Sequence, residues 1–161
     1  MPAYITPRGH QALLDEYTFL MKDERPRITR EVQYAASLGD RSENAEYQYG
    51  KKRLREIDRR LRYLQKRLEG VEVVDPTQYH GLDVVRFGAT VVVEDEAGDE
   101  KTYEIVGKDE IDANAGRISY QSPLGKALIG CGEGDEVRFT APGGSRMLAL
   151  VAVSYPVRTR G

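Results

Sequence analysis

Two carboxylates, Asp40 and Glu43, stand three residues apart in the stretch GDRSENAEYQYG, immediately ahead of a long run of helical apolar spacing. Such a pair has two chemical uses. In a capping box, Asp40 accepts from a free amide of the following helix while Glu43 reaches back to the amide of Asp40. Alternatively, the two carboxylates form a catalytic pair at the point of a projecting turn. Spacing alone favours the cap, because D-x-x-E before an apolar run is an ordinary helix start.

The second concentration of chemistry follows directly. Between Lys51 and Arg67 there are nine basic residues (Lys51, Lys52, Arg53, Arg55, Arg59, Arg60, Arg62, Lys66 and Arg67) against Glu56 and Asp58, a local excess of +7 in seventeen residues. Most charge runs are solvated helix faces. An excess of one sign is less typical of that, and suits a surface that tracks phosphates. Elsewhere the chemistry is thin. Cys131 is the single cysteine and can form no internal disulfide, and His10 and His80 are the only histidines, so no zinc-ligand spacing exists. Cys131 reads as a small, semi-buried residue rather than a nucleophile.

The elements that must carry these groups can be read from periodicity. Thr6 then Pro7 is a helix start, since Thr can cap free amides and Pro at the first helical position loses no hydrogen bond. The first helix should run to about Leu38, with Leu14, Tyr17, Met21, Ile28, Val32 and Ala35 on one stripe and a kink or local break at Pro26. The second carries a heptad seam of Tyr47, Leu54, Ile57, Leu61, Leu64 and Leu68, with Gly50 its apolar-poor position. Because only Gly39 to Ser42 separates them, the helices must fold back as an antiparallel hairpin. With about 30 residues per arm, the hairpin should project roughly 40 to 45 Å. Gly70 ends the second helix and DPTQYHG reads as a linker.

Beyond the linker the apolar period changes to two. ATVVVED and KTYEIVG flank EAGDE as a hairpin, RISYQS is a further strand, PLGKALIG is a short helix opened by Pro123, and EVRFTAP and RMLALVAVSY complete a sheet. The fold class is α+β: an N-terminal two-helix coiled-coil hairpin over residues 1–75, its acidic tip at 39–46, and a globular α+β domain over 76–161.

Composition agrees with an elongated element beside a small core, since 31% of residues are charged. The net charge of -2 conceals a split: residues 1–70 carry 15 Lys/Arg against 11 Asp/Glu (+4), and residues 71–161 carry 9 against 15 (-6). The two parts are therefore expected to meet different partners. No apolar run reaches eighteen residues and MPAYITPRGHQ lacks a secretory pattern, so a cytoplasmic, membrane-free protein is expected; a monomer is expected as well.

The tip and second helix, DRSENA followed by KKRLREIDRR, resemble those of bacterial transcript cleavage factors of the Gre family, in particular its GreB branch. Similarity extends to YITPRG, FGATV and SPLGKALIG, nearly the whole chain. The resemblance implies a transcription elongation factor that binds RNA polymerase, inserts its coiled coil into the secondary channel and stimulates the polymerase's own cleavage of backtracked RNA. It implies that Asp40 and Glu43 help to hold a magnesium ion in the polymerase active centre, which reverses the order set by spacing. Magnesium takes oxygen ligands and keeps several waters, so two carboxylates alone are too few for a tight site and the chain itself is no nuclease. It further implies that Lys51, Lys52, Arg53 and Arg55, with Arg41 at the tip, hold the 3′ end of the nascent RNA. Ser122 and Pro123 would dock on the polymerase exterior, in a domain resembling FK506-binding (FKBP-like) prolyl isomerases. No isomerase site is evident, and a proline at a helix start explains Ser122-Pro123 equally well.

Two departures from the GreB pattern are Glu46 and Gly50, where Asp and Asn are expected. Gly50 should cost about 1 kcal/mol in mid-helix and loosen the hairpin above its tip. Two other functions remain open: a regulator that occupies the same channel without stimulating cleavage, and an independent nucleic-acid-binding coiled coil. Retention of Asp40 and Glu43 argues against the first, and the acidic C-terminal half against the second.

Overall fold

The structure, a computed structural model, describes residues 3–39 and 44–157. In chain order it forms β1 (Ala3–Ile5), α1 (Pro7–Phe19), a π-helical turn (Leu20–Glu24), α2 (Arg25–Ser37), α3 (Ala45–Gly70), β2 (Val71–Val73), β3 (Thr90–Glu94), β4 (Glu100–Val106), β5 (Arg117–Ser119), α4 (Pro123–Leu128), β6 (Glu136–Ala141) and β7 (Gly144–Ser154). The chain divides into two compact units, His10–Val71 and Met1–Gly9 with Glu72–Gly161. The first nine residues therefore group with the globular unit, whereas a single division after residue 75 would place them in the hairpin.

The helical unit is an antiparallel hairpin in which α2 packs on α3. Its seam buries Ile28 and Ala35 from one arm and Gly50, Ile57, Leu61 and Leu64 from the other. The break expected at Pro26 takes the form of the π turn. Pro26 has no amide to donate and sits in the first turn of α2, while the Arg25 amide reaches back five residues to the Leu20 carbonyl. That turn holds one residue more than an α-turn, which shifts the buried stripe. Counting back from Ile28, the buried positions are Leu20 and Leu13, whereas Met21 and Leu14 of the expected stripe are exposed.

The globular unit is a five-stranded sheet in the order β5-β4-β3-β7-β6. All its pairings are antiparallel except β4 with β5, and β3–β7 carries a register shift between Val92 and Val93. Alternate residues Val91 and Val93 of β3 point into a core with Ile105, Val137, Leu150 and Leu128 of α4. Tyr155 closes one edge: its hydroxyl donates to the Val84 carbonyl and accepts from the Arg86 amide at 2.7 Å, and burial raises its pKa. The stretch read as a linker is a 3-10 turn, Pro76–Tyr79, capped by the Asp75 carboxylate on the Thr77 amide at 3.0 Å.

The first turn of α1 is capped as expected, with the Gly9 amide donating to the Thr6 hydroxyl at 3.1 Å. That hydroxyl in turn donates to the Glu110 carboxylate, which also accepts from the amides of Thr6 (3.1 Å) and Gly107 (2.9 Å). One carboxylate thus gathers β1 and the loop after β4 within the globular unit.

Candidate functional site

At the tip, the cap of α3 is Asn44 rather than Asp40. Its side-chain oxygen accepts from the Tyr47 amide at 3.0 Å, and its side-chain nitrogen donates to the Ala35 carbonyl at 2.8 Å. One half-buried amide therefore ends both arms: it satisfies a free donor of α3 and ties it to the last turn of α2. A carboxylate at this position could accept from Tyr47 but could not donate to Ala35. Asp40, Arg41 and Glu43 lie outside the described residues. The capping duty that D-x-x-E spacing assigned to Asp40 is performed by Asn44, whose place just before an apolar helical run was itself a legible cap signal.

Immediately behind the cap, Gly50 faces Val32. A Cβ built on Gly50 would stand 2.5 Å from the Val32 Cγ2, so the glycine permits the two arms to approach at the seam. For Gly50 a packing role thus stands beside the expected loosening of the helix. Its propensity cost is real, but any larger side chain must displace a β-branched neighbour.

The basic run on α3 sorts into two groups. Arg60 forms a paired contact with Glu16 (2.6 and 2.8 Å), and Arg53 lies 3.5 Å from Glu24 and 3.4 Å from Glu56. From the other arm, Arg25 holds Asp58 at 2.8 Å and Arg27 holds Glu24 at 3.0 Å. These pairs depress their acids: Arg60 lowers the pKa of Glu16, Arg27 with help from Arg53 lowers that of Glu24, and Arg25 lowers that of Asp58. Arg53, one of the expected RNA contacts, is therefore engaged inside the hairpin.

Six of the other seven cations form the second group, the half-buried Arg67 standing apart from it. Lys51, Arg55, Arg59, Arg62 and Lys66 succeed one another at steps of four, four, three and four, with Lys52 beside them, on the face of α3 opposite the seam. All six are exposed, and none has an ion-pair partner among the described residues; Arg62 acts on Asp58 only through its longer-range field. The outer face is a line of free positive charge, while the arginines toward the other arm serve the hairpin.

In the globular unit, the Ser122 hydroxyl caps α4, accepting from the Gly125 amide at 3.0 Å and donating to the Ser119 carbonyl at 2.7 Å; Pro123 follows it, exposed. Cys131 donates to the Ala127 carbonyl at 3.3 Å and burial raises its pKa, as suits a structural thiol. Among the described residues no cluster of three or more His, Cys, Asp or Glu side chains could hold a metal ion, and no helix is long and apolar enough to cross a membrane.

A two-helix hairpin with a one-sided cation face and a five-stranded α+β domain are the two parts that a family must account for. Comparison with known sequences gives the family. Residues 3–73 match "Transcription elongation factor, N-terminal" and residues 79–155 match "Transcription elongation factor, GreA/GreB, C-term". The chain belongs to the GreA/GreB family of transcription elongation factors. It is 51% identical over 152 residues to "Transcription elongation factor GreB" of Neisseria meningitidis serogroup B, covering 94% of this chain and 93% of that one. With the protein of the same name from Haemophilus influenzae it shares 54% identity over 154 residues, covering 94% and 96%. Among solved structures, GreA factor homolog 1 of Thermus thermophilus overlays at a TM-score of 0.43 with 22% identity, covering 95% of this chain and 99% of that one.

Proposed function

We propose that this elongation factor acts on RNA polymerase, in the cytoplasm and as a monomer, and rescues arrested complexes by stimulating the polymerase's own cleavage of backtracked RNA. The globular unit docks on the polymerase through the Ser122-Pro123 corner, and the hairpin enters the secondary channel. Lys51, Lys52 and Arg55, with Arg41 at the tip, hold phosphates of the extruded 3′ end, and Asp40 and Glu43 meet the scissile phosphodiester. The observation that carries this reading is the sorting of the cations on α3. Arg53 and Arg60 are tied into the hairpin, whereas the six on the outer face are left to solvent, as a surface for a polyanion requires.

The chain supplies part of a metal site. Carboxylate oxygens suit magnesium, but Asp40 and Glu43 are two ligands, and the described residues add no cluster to them. The remaining ligands therefore belong to the polymerase and its RNA. Asp40 and Glu43 would be this chain's ligands to the magnesium, which would supply activation of a water and stabilisation of the leaving oxygen. Because Asn44 caps α3, helix capping leaves both carboxylates available for that task.

Halted, backtracked elongation complexes with end-labelled RNA test the proposal. Shortening of the RNA only when factor and polymerase are both present is the expected result. A factor that binds polymerase yet leaves the RNA intact is a channel-occupying regulator, and one that cuts free RNA without polymerase contradicts the proposal from the other side.

A further inference from the structure

Near its tip the hairpin exposes two aromatic rings that its own packing does not use. Tyr34 is 66% exposed and Tyr49 is 70% exposed, and both line one cleft between the arms, together with Gly50 and Arg30. Neither ring stacks on another ring or hydrogen-bonds through its hydroxyl among the described residues. Tyr34 sits three residues before the end of α2 and Tyr49 four residues after the start of α3, so each lies about one helical turn below the stapled tip. Gly50 lines the same cleft and is the point at which α3 approaches Val32 of α2.

We infer that this cleft is a stacking site for a nucleobase of single-stranded RNA, an inference that rests on the proposed path of RNA along α3. Three observations select that occupant. Tyr49 precedes Lys52 by three residues on the same helix surface, which makes the cleft continuous with the line of free cations. Aromatic rings interleaved with cations form the platform on which single strands are held without sequence preference, the bases on the rings and the phosphates on the charges. The cleft itself carries no positive excess, since Arg27 is bonded to Glu24 and Glu31, and Arg30 shares the cleft lining with the acids Glu31 and Glu46. It therefore suits the uncharged, flat part of the nucleic acid, and the outer face suits its phosphates.

The test compares wild type, Tyr34→Phe/Tyr49→Phe, which keeps both rings, and Tyr34→Leu/Tyr49→Leu, which keeps apolar bulk without them. Each full-length protein is titrated against a short single-stranded RNA carrying 2-aminopurine, whose fluorescence is quenched on stacking. Each is also added to backtracked complexes carrying 4-thiouridine at the RNA 3′ end for crosslinking. Wild type and the Phe pair should quench the probe equally and crosslink at the cleft. The Leu pair should bind the probe about tenfold more weakly, the loss of one base–ring stack, and lose the crosslink. Equal quenching and crosslinking by the Leu pair overturns the inference. So does a Leu pair that loses only polymerase affinity, which would make the cleft a protein contact. If wild type stimulates no cleavage, the proposed function fails, and the quench with free RNA still decides the stacking site.

Discussion

Replacing Asn44 by Ala removes two bonds that the structure assigns to one side chain, and its cost can be worked from them. The cap on the Tyr47 amide is worth about 1 kcal/mol by comparison with other Asn and Ser caps. The bond to the Ala35 carbonyl adds about 1 kcal/mol, without a penalty for an orphaned acceptor, because that carbonyl still accepts from the Leu38 amide at 3.2 Å. The sum of about 2 kcal/mol corresponds to roughly a 30-fold rise in the opening equilibrium of the arm ends. Native-state hydrogen exchange reads this directly at the Tyr47 amide, and Asn44→Ser should show the intermediate value of about fivefold, because serine caps α3 but is too short to reach Ala35. A change of less than about twofold at Tyr47 in Asn44→Ala would refute the staple, as would a change spread over the β-sheet while the arm ends keep their protection.

Three further outcomes are expected. Gly50→Ala should destabilise the hairpin in thermal denaturation despite a helix-propensity gain of about 1 kcal/mol, and a second change, Val32→Ala, should restore it; a stabilised single variant means the arms are not in close contact there. Glu16, Glu24 and Asp58 have folded pKa values below their unfolded ones, so their ion pairs stabilise the hairpin fully above the ordinary carboxylate range; its Tm should be level from pH 7 to about 5 and fall as the pH drops through about 4 and below, and a Tm level across about pH 5 to 3 contradicts the pairing. Asp40→Asn and Glu43→Gln should leave helix content and Tm unchanged, since Asn44 is the cap, yet lose most cleavage stimulation, with partial recovery at high magnesium; a parallel loss of stability would return these carboxylates to a capping role.

Strands and seam were legible because their periods are local. Alternation in ATVVVED fixes which side of β3 is buried, and Val91 and Val93 are buried as that pattern requires. Heptad reasoning also holds on α3, where Ile57, Leu61 and Leu64 are all buried. It failed on the first arm from Met21 backward, because a period counted along the chain assumes a constant number of residues per turn. Pro26 signalled a break but not its form, and a π turn moves every earlier position by one residue. The grouping of residues before His10 with the sheet was illegible for a different reason: it depends on Glu110, a hundred residues away, gathering the amides of Thr6 and Gly107.

The candidate site shows the same division between local and long-range information. A sequence displays nine cations between Lys51 and Arg67 as equals, but their roles depend on what the opposite arm places beside each one. Glu16 and Glu24 lie far upstream, on the other side of the tip, in an arm whose register the π turn resets, so the pairing of Arg60 and Arg53 could not be counted out from α3 alone. Those two pairs nonetheless give the free cations their meaning. The buried seam of Ile57, Leu61 and Leu64 sets the rotation of α3 against its partner, with Arg53 and Arg60 on the near side and Lys51, Arg55, Arg59, Arg62 and Lys66 on the outer side. Charge that neutralises acids across the seam is spent within the hairpin, and charge left over on the far face is what the proposed function assigns to the RNA strand.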